Sequence, residues 1–203
     1  MTQENLFAQL KHPNPHLRDR AMLEIAETRD TETIFKLMSA LDDEDVVYRR
    51  AAVKALGVIG QDAVPSIVEG MLHSENITVK GSCVKALTQV AINYPELPFP
   101  AEGLQGLKQS MQDPNPVVYI AAVMTLGEIG VEGLDILTEA LAVTDNPALG
   151  VSIVNALASI GGEHSAEVLN KVVNDESADS YVKETAISAL SRLELVAKYK
   201  RVE

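Results

Sequence analysis

The sequence predicts an all-α protein, an α-α superhelix in which about six helix pairs stack as a solenoid, and three observations lead there. Tyr48–Gly60, YRRAAVKALGVIG, returns as Tyr119–Gly130, YIAAVMTLGEIG, keeping Ala-Ala-Val and Leu-Gly-x-Ile-Gly while the charged letters between them change. An apolar anchor recurs at Ile25, Leu56, Leu87, Leu126, Leu157 and Leu190, at intervals of 31, 31, 39, 31 and 33. Around each anchor the buried-type residues stand four before, three before and three after, which is the spacing of one helix face and not the alternation of a strand.

Six units follow, at about 3–30, 31–60, 61–92, 101–130, 131–162 and 163–195, and they form one repeat domain over 1–203. Each opens with a short apolar pattern, helix A: Leu6-Phe7-Leu10, Ile34-Leu37-Leu41, Val64-Ile67-Val68-Met71, Leu104-Leu107-Met111, Leu134-Leu137-Leu141 and Val168-Leu169-Val172. The turn after it carries start signals in Asn14-Pro15, Asn115-Pro116 and Asn146-Pro147, where an asparagine caps the helix and a proline occupies a position whose N–H would be unpaired in any case. Helix B then holds the anchor, with Ala21, Ala52, Cys83, Ala122, Ile153 and Ala186 four before it. It stops at glycine, Gly57 or Gly60, Gly127 or Gly130, and Gly161-Gly162, where a left-handed residue closes the last turn. The long interval contains Asn93-Tyr94-Pro95-Glu96-Leu97-Pro98-Phe99-Pro100, whose three prolines exclude a helix and predict a loop between the third and fourth units.

Apolar residues make up 46% and aromatic ones 4%, so the core is built from Leu, Ile, Val and Ala. No stretch approaches the roughly 20 apolar residues of a membrane helix, and the opening MTQENLFAQL lacks a basic segment before an apolar one. The expectation is a cytoplasmic protein that does not bind membranes. One cysteine, Cys83, makes no internal disulfide. The net charge is −12 and uneven: residues 1–100 hold 10 Lys and Arg against 14 Asp and Glu, and residues 101–203 hold 7 against 15. Nucleic acid is therefore not an expected partner, because a phosphate footprint needs a basic surface.

The cations are nevertheless placed. Positions six and two before the anchor are one helical turn apart and point away from the core columns. They hold Arg50, Lys54 and Lys85 in the second and third units and Ile120 and Met124 in the fourth, with Tyr119 beside them. A basic patch running into an apolar one suits an amphipathic ligand with carboxylates or an acidic partner helix, and these six residues are the candidate ligand- or partner-binding set. A further basic column, Arg18, Arg49, Lys80 and Lys183, stands seven before the anchor and is expected to pair with turn acids such as Asp43, Asp45 and Glu75; Tyr119 and Gly150 interrupt it. Cys83 sits in the alanine column and reads as a small core residue. The run Asp42–Asp45 reads as a solvated turn at a helix N-terminus. No catalytic residue and no metal site is expected: His12, His16, His73 and His164 are scattered, and there is no Gly-rich phosphate loop, Gly-x-Ser-x-Gly or Cys-x-x-Cys.

The frame LKHPNPHLRDRAMLEIAE (Leu10–Glu27), DVVYRRAAVKALGVIG (Asp45–Gly60) and DPNPVVYIAAVMTLGEIG (Asp113–Gly130) resembles the HEAT-like repeats of the phycobilin lyase family, most of all the small Z-type subunit of the phycoerythrin lyase pair. The resemblance implies bilin handling: attachment of a linear tetrapyrrole to a phycobiliprotein cysteine, with a phycobilin as substrate and no permanently bound cofactor. It implies a phycobiliprotein subunit and a larger HEAT-like lyase subunit as partners, and it places helix B on the concave surface of the array. Since the acceptor thiol belongs to the phycobiliprotein, holding the reactants in register is chemistry such a chain can supply without a nucleophile. The HEAT-like deoxyhypusine hydroxylases, by contrast, hold di-iron through His-Glu pairs, and this chain has only the reversed Glu163-His164. The competing expectation is a non-enzymatic protein-binding adaptor, for example in iron-sulfur assembly.

Overall fold

The computed structural model describes residues 2–200; Met1 and 201–203, the ends of the expected domain, lie outside the described residues. Among the described residues twelve α-helices form the six expected A–B pairs: α1 (Gln3–Gln9) with α2 (Pro15–Glu27), α3 (Thr31–Ser39) with α4 (Val46–Ile59), α5 (Val64–His73) with α6 (Ile77–Asn93), α7 (Ala101–Ser110) with α8 (Pro116–Ile129), α9 (Val131–Val143) with α10 (Pro147–Ile160), and α11 (Gly162–Asn174) with α12 (Ser180–Lys200). No strand occurs among the described residues. The fold is an all-α array of HEAT-like helix pairs. By internal packing the chain falls into two compact units, Met1–Ala121 and Ala122–Glu203.

The core columns explain the packing. All six residues four before the anchor are fully buried, from Ala21 to Ala186, as are the first five anchors. The alanines one before the anchor (Ala55, Ala86, Ala156, Ala189) are buried too, as is Thr125 at the same place in the fourth unit. At Gly57 a Cβ would lie 2.2 Å from the Gln89 Cβ of α6, so Gly57 is a contact residue inside α4. The stop is Gly60, with φ 78°; Gly130 (φ 83°) and Gly161 (φ 72°) end α8 and α10 in the same way. In the last pair the columns loosen: Leu190 is half-buried and Ile187 is 52% exposed.

The A–B turns are more regular than three Asn-Pro pairs suggest. The side chains of Asn14, Asp45, Asn76, Asn115, Asn146 and Asp179 each accept from the N–H two residues on, at 2.8 to 3.0 Å. Two residues earlier, His12, Asp43, Ser74, Asp113 and Thr144 accept in turn from the cap residue's own N–H. The N–H two past the cap thus meets a side-chain acceptor in all six turns, and the cap's own N–H in five.

The proline-rich connector is non-helical, as expected, but it does not bulge freely. Tyr94 donates its hydroxyl to the Val58 carbonyl, Gln61 Nε2 donates to the Pro98 carbonyl at 2.9 Å, and Phe99 is buried where Gly103 and Val64 leave room for its ring. One stretch, Val46–His73, is long and apolar enough by composition to cross a membrane, against the sequence expectation that none is. It consists of α4, a 3-10 turn and α5, and 67% of its apolar window is buried inside the protein.

Candidate functional site

Four of the six candidate residues are exposed. Arg50 and Lys54 are exposed one turn apart on α4, Lys85 is exposed on α6, which packs against α4, and Met124 is 67% exposed on α8. Ile120, a turn before Met124, is half-buried. Lys54 Nζ lies 3.9 Å from Asp19 Oδ1 of α2, a loose solvent-facing ion pair. Arg50 and Lys85 make no ion pair with a described residue, so two of the three cations are free to meet an external anion. Asp19 belongs to this face although the candidate set omits it; it occupies in the first unit the position Arg50 holds in the second.

Tyr119 corrects the expectation. It is only 9% exposed and belongs to the core, because position four past the cap, where Tyr119 stands, turns inward over the A–B turn. The same inward turn explains the basic column. Arg18 Nη1 donates to the carbonyls of His12 (2.6 Å) and Pro13 (2.9 Å), and Arg49 Nη1 to those of Asp43 (2.5 Å) and Glu44 (3.1 Å). These arginines thus clamp backbone oxygens of their own turn where pairing with acids was expected. Lys80 forms an ion pair, with Asp113 at 2.7 Å in the next unit's turn.

The remaining chemistry is sparse. Cys83 is fully buried and burial pushes its thiol up to about 12, so it presents no thiolate at neutral pH. Lys11 Nζ lies 4.3 Å from the Tyr48 ring centre and 3.1 Å from Asp43 Oδ2, which together hold the ammonium in its charged form. Among the described residues no group of three or more His, Cys, Asp or Glu could hold a metal ion.

The family model for HEAT repeats matches residues 4–88 and 104–191. Phycocyanin operon protein Z of Pseudanabaena tenuis is 55% identical over 99% of this chain and 100% of its own length. The chain belongs to that family of Z-type HEAT-repeat proteins. A second member of the family, the bilin biosynthesis protein CpeZ of Synechococcus sp. strain WH8020, is 33% identical over 85% of this chain and 95% of its own. Among solved structures, the complex of CpcE and CpcF of phycocyanin lyase from Nostoc sp. PCC7120 shares the fold, with a TM-score of 0.50 at 19% identity, covering 76% of this chain and 96% of that one. This Z-type chain also keeps the gap between the two matched stretches where its connector lies, at 93–100.

Proposed function

We propose that this Z-type protein is a bilin lyase subunit, or a chaperone-like helper to one, which binds a linear tetrapyrrole and presents it with its phycobiliprotein acceptor to a larger HEAT-like subunit. The observation that carries the reading is the near full-length relation to a protein named for bilin biosynthesis. The exposed cations Arg50, Lys54 and Lys85 fit carboxylate groups of such a ligand. With Cys83 buried and its thiol protonated, the protein's own sulfur is no carrier for the pigment. Its contribution is then positioning, which lowers a barrier by holding reactants in register.

The test is a titration of a phycobilin into the purified protein, followed by absorbance and fluorescence. Saturable spectral change is expected, weakened about tenfold in an Arg50→Glu, Lys54→Glu double variant whose melting temperature stays close to wild type, since exposed charges stabilise a fold by only about 0 to 1 kcal/mol. Attachment to an apo phycobiliprotein is expected to be slight with this chain alone and to rise when a larger HEAT-like subunit is added. If neither bilin nor phycobiliprotein is bound, the adaptor reading takes its place.

A further inference from the structure

Five of the six units carry a long side chain four residues past the cap: Arg18, Arg49, Lys80, Tyr119 and Lys183. The fifth unit has Gly150. Its Cβ would stand 2.9 Å from Val182 Cγ2, so the close approach of α12 to α10 excludes a larger residue there. A cavity of about 780 Å³ opens at this place, lined by the turn Thr144–Pro147, by Gly150, and by residues of α9, α11 and α12. The corresponding groove between the third and fourth units, where Lys80 reaches Asp113, is about 260 Å³.

The cavity keeps the acceptors that a clamping cation uses elsewhere. Arg18 and Arg49 bond the carbonyls two and one residues before the cap; the equivalent carbonyls, of Thr144 and Asp145, accept from no described residue. Lys80 uses Asp113, two residues before the next unit's cap; Ser177 holds that place in the sixth unit's turn, and the carboxylate of Asp175 lies in the lining two residues earlier still. Asp145, Asp175 and Asp179 line the cavity together with Lys171, and Lys183 of α12 acts on Asp175 from outside the lining. Leu141, Val168, Val172 and Val182 supply apolar wall, and Thr138 Oγ1, also in the lining, is buried without a hydrogen-bond partner. Planar donors, an aliphatic stem and a positive charge are what such a site selects, and arginine carries all three.

We propose that the cavity between the fifth and sixth units binds an arginine side chain of a partner protein, flanked by apolar residues, which supplies in trans the clamp that Arg18 and Arg49 supply in cis. The volume, inside the roughly 300 to 1,000 Å³ of binding pockets, holds the guanidinium and one or two neighbouring side chains. The inference is independent of bilin binding.

The test is an NMR titration of the isotope-labelled full chain with acetyl-Ala-Leu-Arg-Val-Ala-amide and with the same peptide carrying citrulline, the uncharged analogue. Saturable shifts at the methyls of Val168, Val172 and Val182 are expected with the arginine peptide. Replacing arginine by citrulline, or Asp145→Lys in the protein, is expected to weaken binding about tenfold. A Gly150→Arg, Val182→Ala double variant is expected to lose the peptide and to melt higher than Val182→Ala alone, because the clamp is restored internally. Equal binding of both peptides, binding indifferent to Asp145→Lys, or the absence of shifts at these methyls overturns the proposal. Free arginine binding as tightly as the peptide overturns the protein partner.

Discussion

Leu126 is fully buried in α8, and its truncation is a direct reading of the anchor column. Leu126→Ala is expected to lower stability by about 2 to 5 kcal/mol in denaturant titration, because the lost methyl groups leave a cavity that close-packed helices cannot collapse. A loss under about 1 kcal/mol would show that the site relaxes around the smaller residue. This column was legible because the same face recurs six times and only apolar residues appear there. The position seven before the anchor was legible as a column but not in its orientation. Arginine, lysine and tyrosine all combine a polar end with a long apolar stem, so their letters fit an exposed ion pair and an inward clamp equally well. Tyr119 was assigned to the surface for this reason, and the backbone oxygens that Arg18 and Arg49 bond leave no mark in the sequence.

Between elements, side chains at fixed places in the repeat tie one pair to the next: Lys11 to Asp43, Arg29 to Asp62 and Lys80 to Asp113. The Lys80–Asp113 pair is the least exposed of these and has a pH signature. Burial pushes the Asp113 carboxyl up, but the Lys80 ammonium and the Asn115 N–H outweigh it and hold the group below the usual carboxylate range. A carboxyl depressed in the folded state stabilises fully above its unfolded pKa, about 3.9, and loses that contribution as pH falls through the folded value. Lys80→Met is therefore expected to lower the melting temperature at neutral pH and to make its decline below about pH 4 shallower than in the wild type. Gly60→Ala tests a helix stop. The residue has φ 78° and its Cβ would lie 2.6 Å from the Tyr94 ring, so a loss of about 1 to 3 kcal/mol is expected on unfolding in urea. The stop itself was readable as one of two glycines; which one acts was not, because Gly57 answers a long-range approach of α6.

At the scale of the molecule, helix pairs, their order and their termini followed from periodicity, and the connector from its prolines. Its attachment did not, since Tyr94 and Phe99 look like any loop aromatics until Val58 and Gly103 are brought beside them in space. In a stack where each pair leans only on its neighbours, unfolding is expected to spread from the ends in steps of one pair. The Tyr94 bond to Val58 fastens the end of the third pair to the second, while Phe99 in the same connector reaches the first helix of the fourth. These links act as a rivet through three layers, so the residues of α4, α6 and α7 are expected to exchange their amide protons at a common, slow rate set by one concerted opening. In a Tyr94→Phe variant the rate for α7 is expected to separate from that for α4 and to become faster. If the three helices already exchange at unrelated rates in the wild-type protein, the connector is a passive spacer, and the array frays one pair at a time through its middle as well as from its ends.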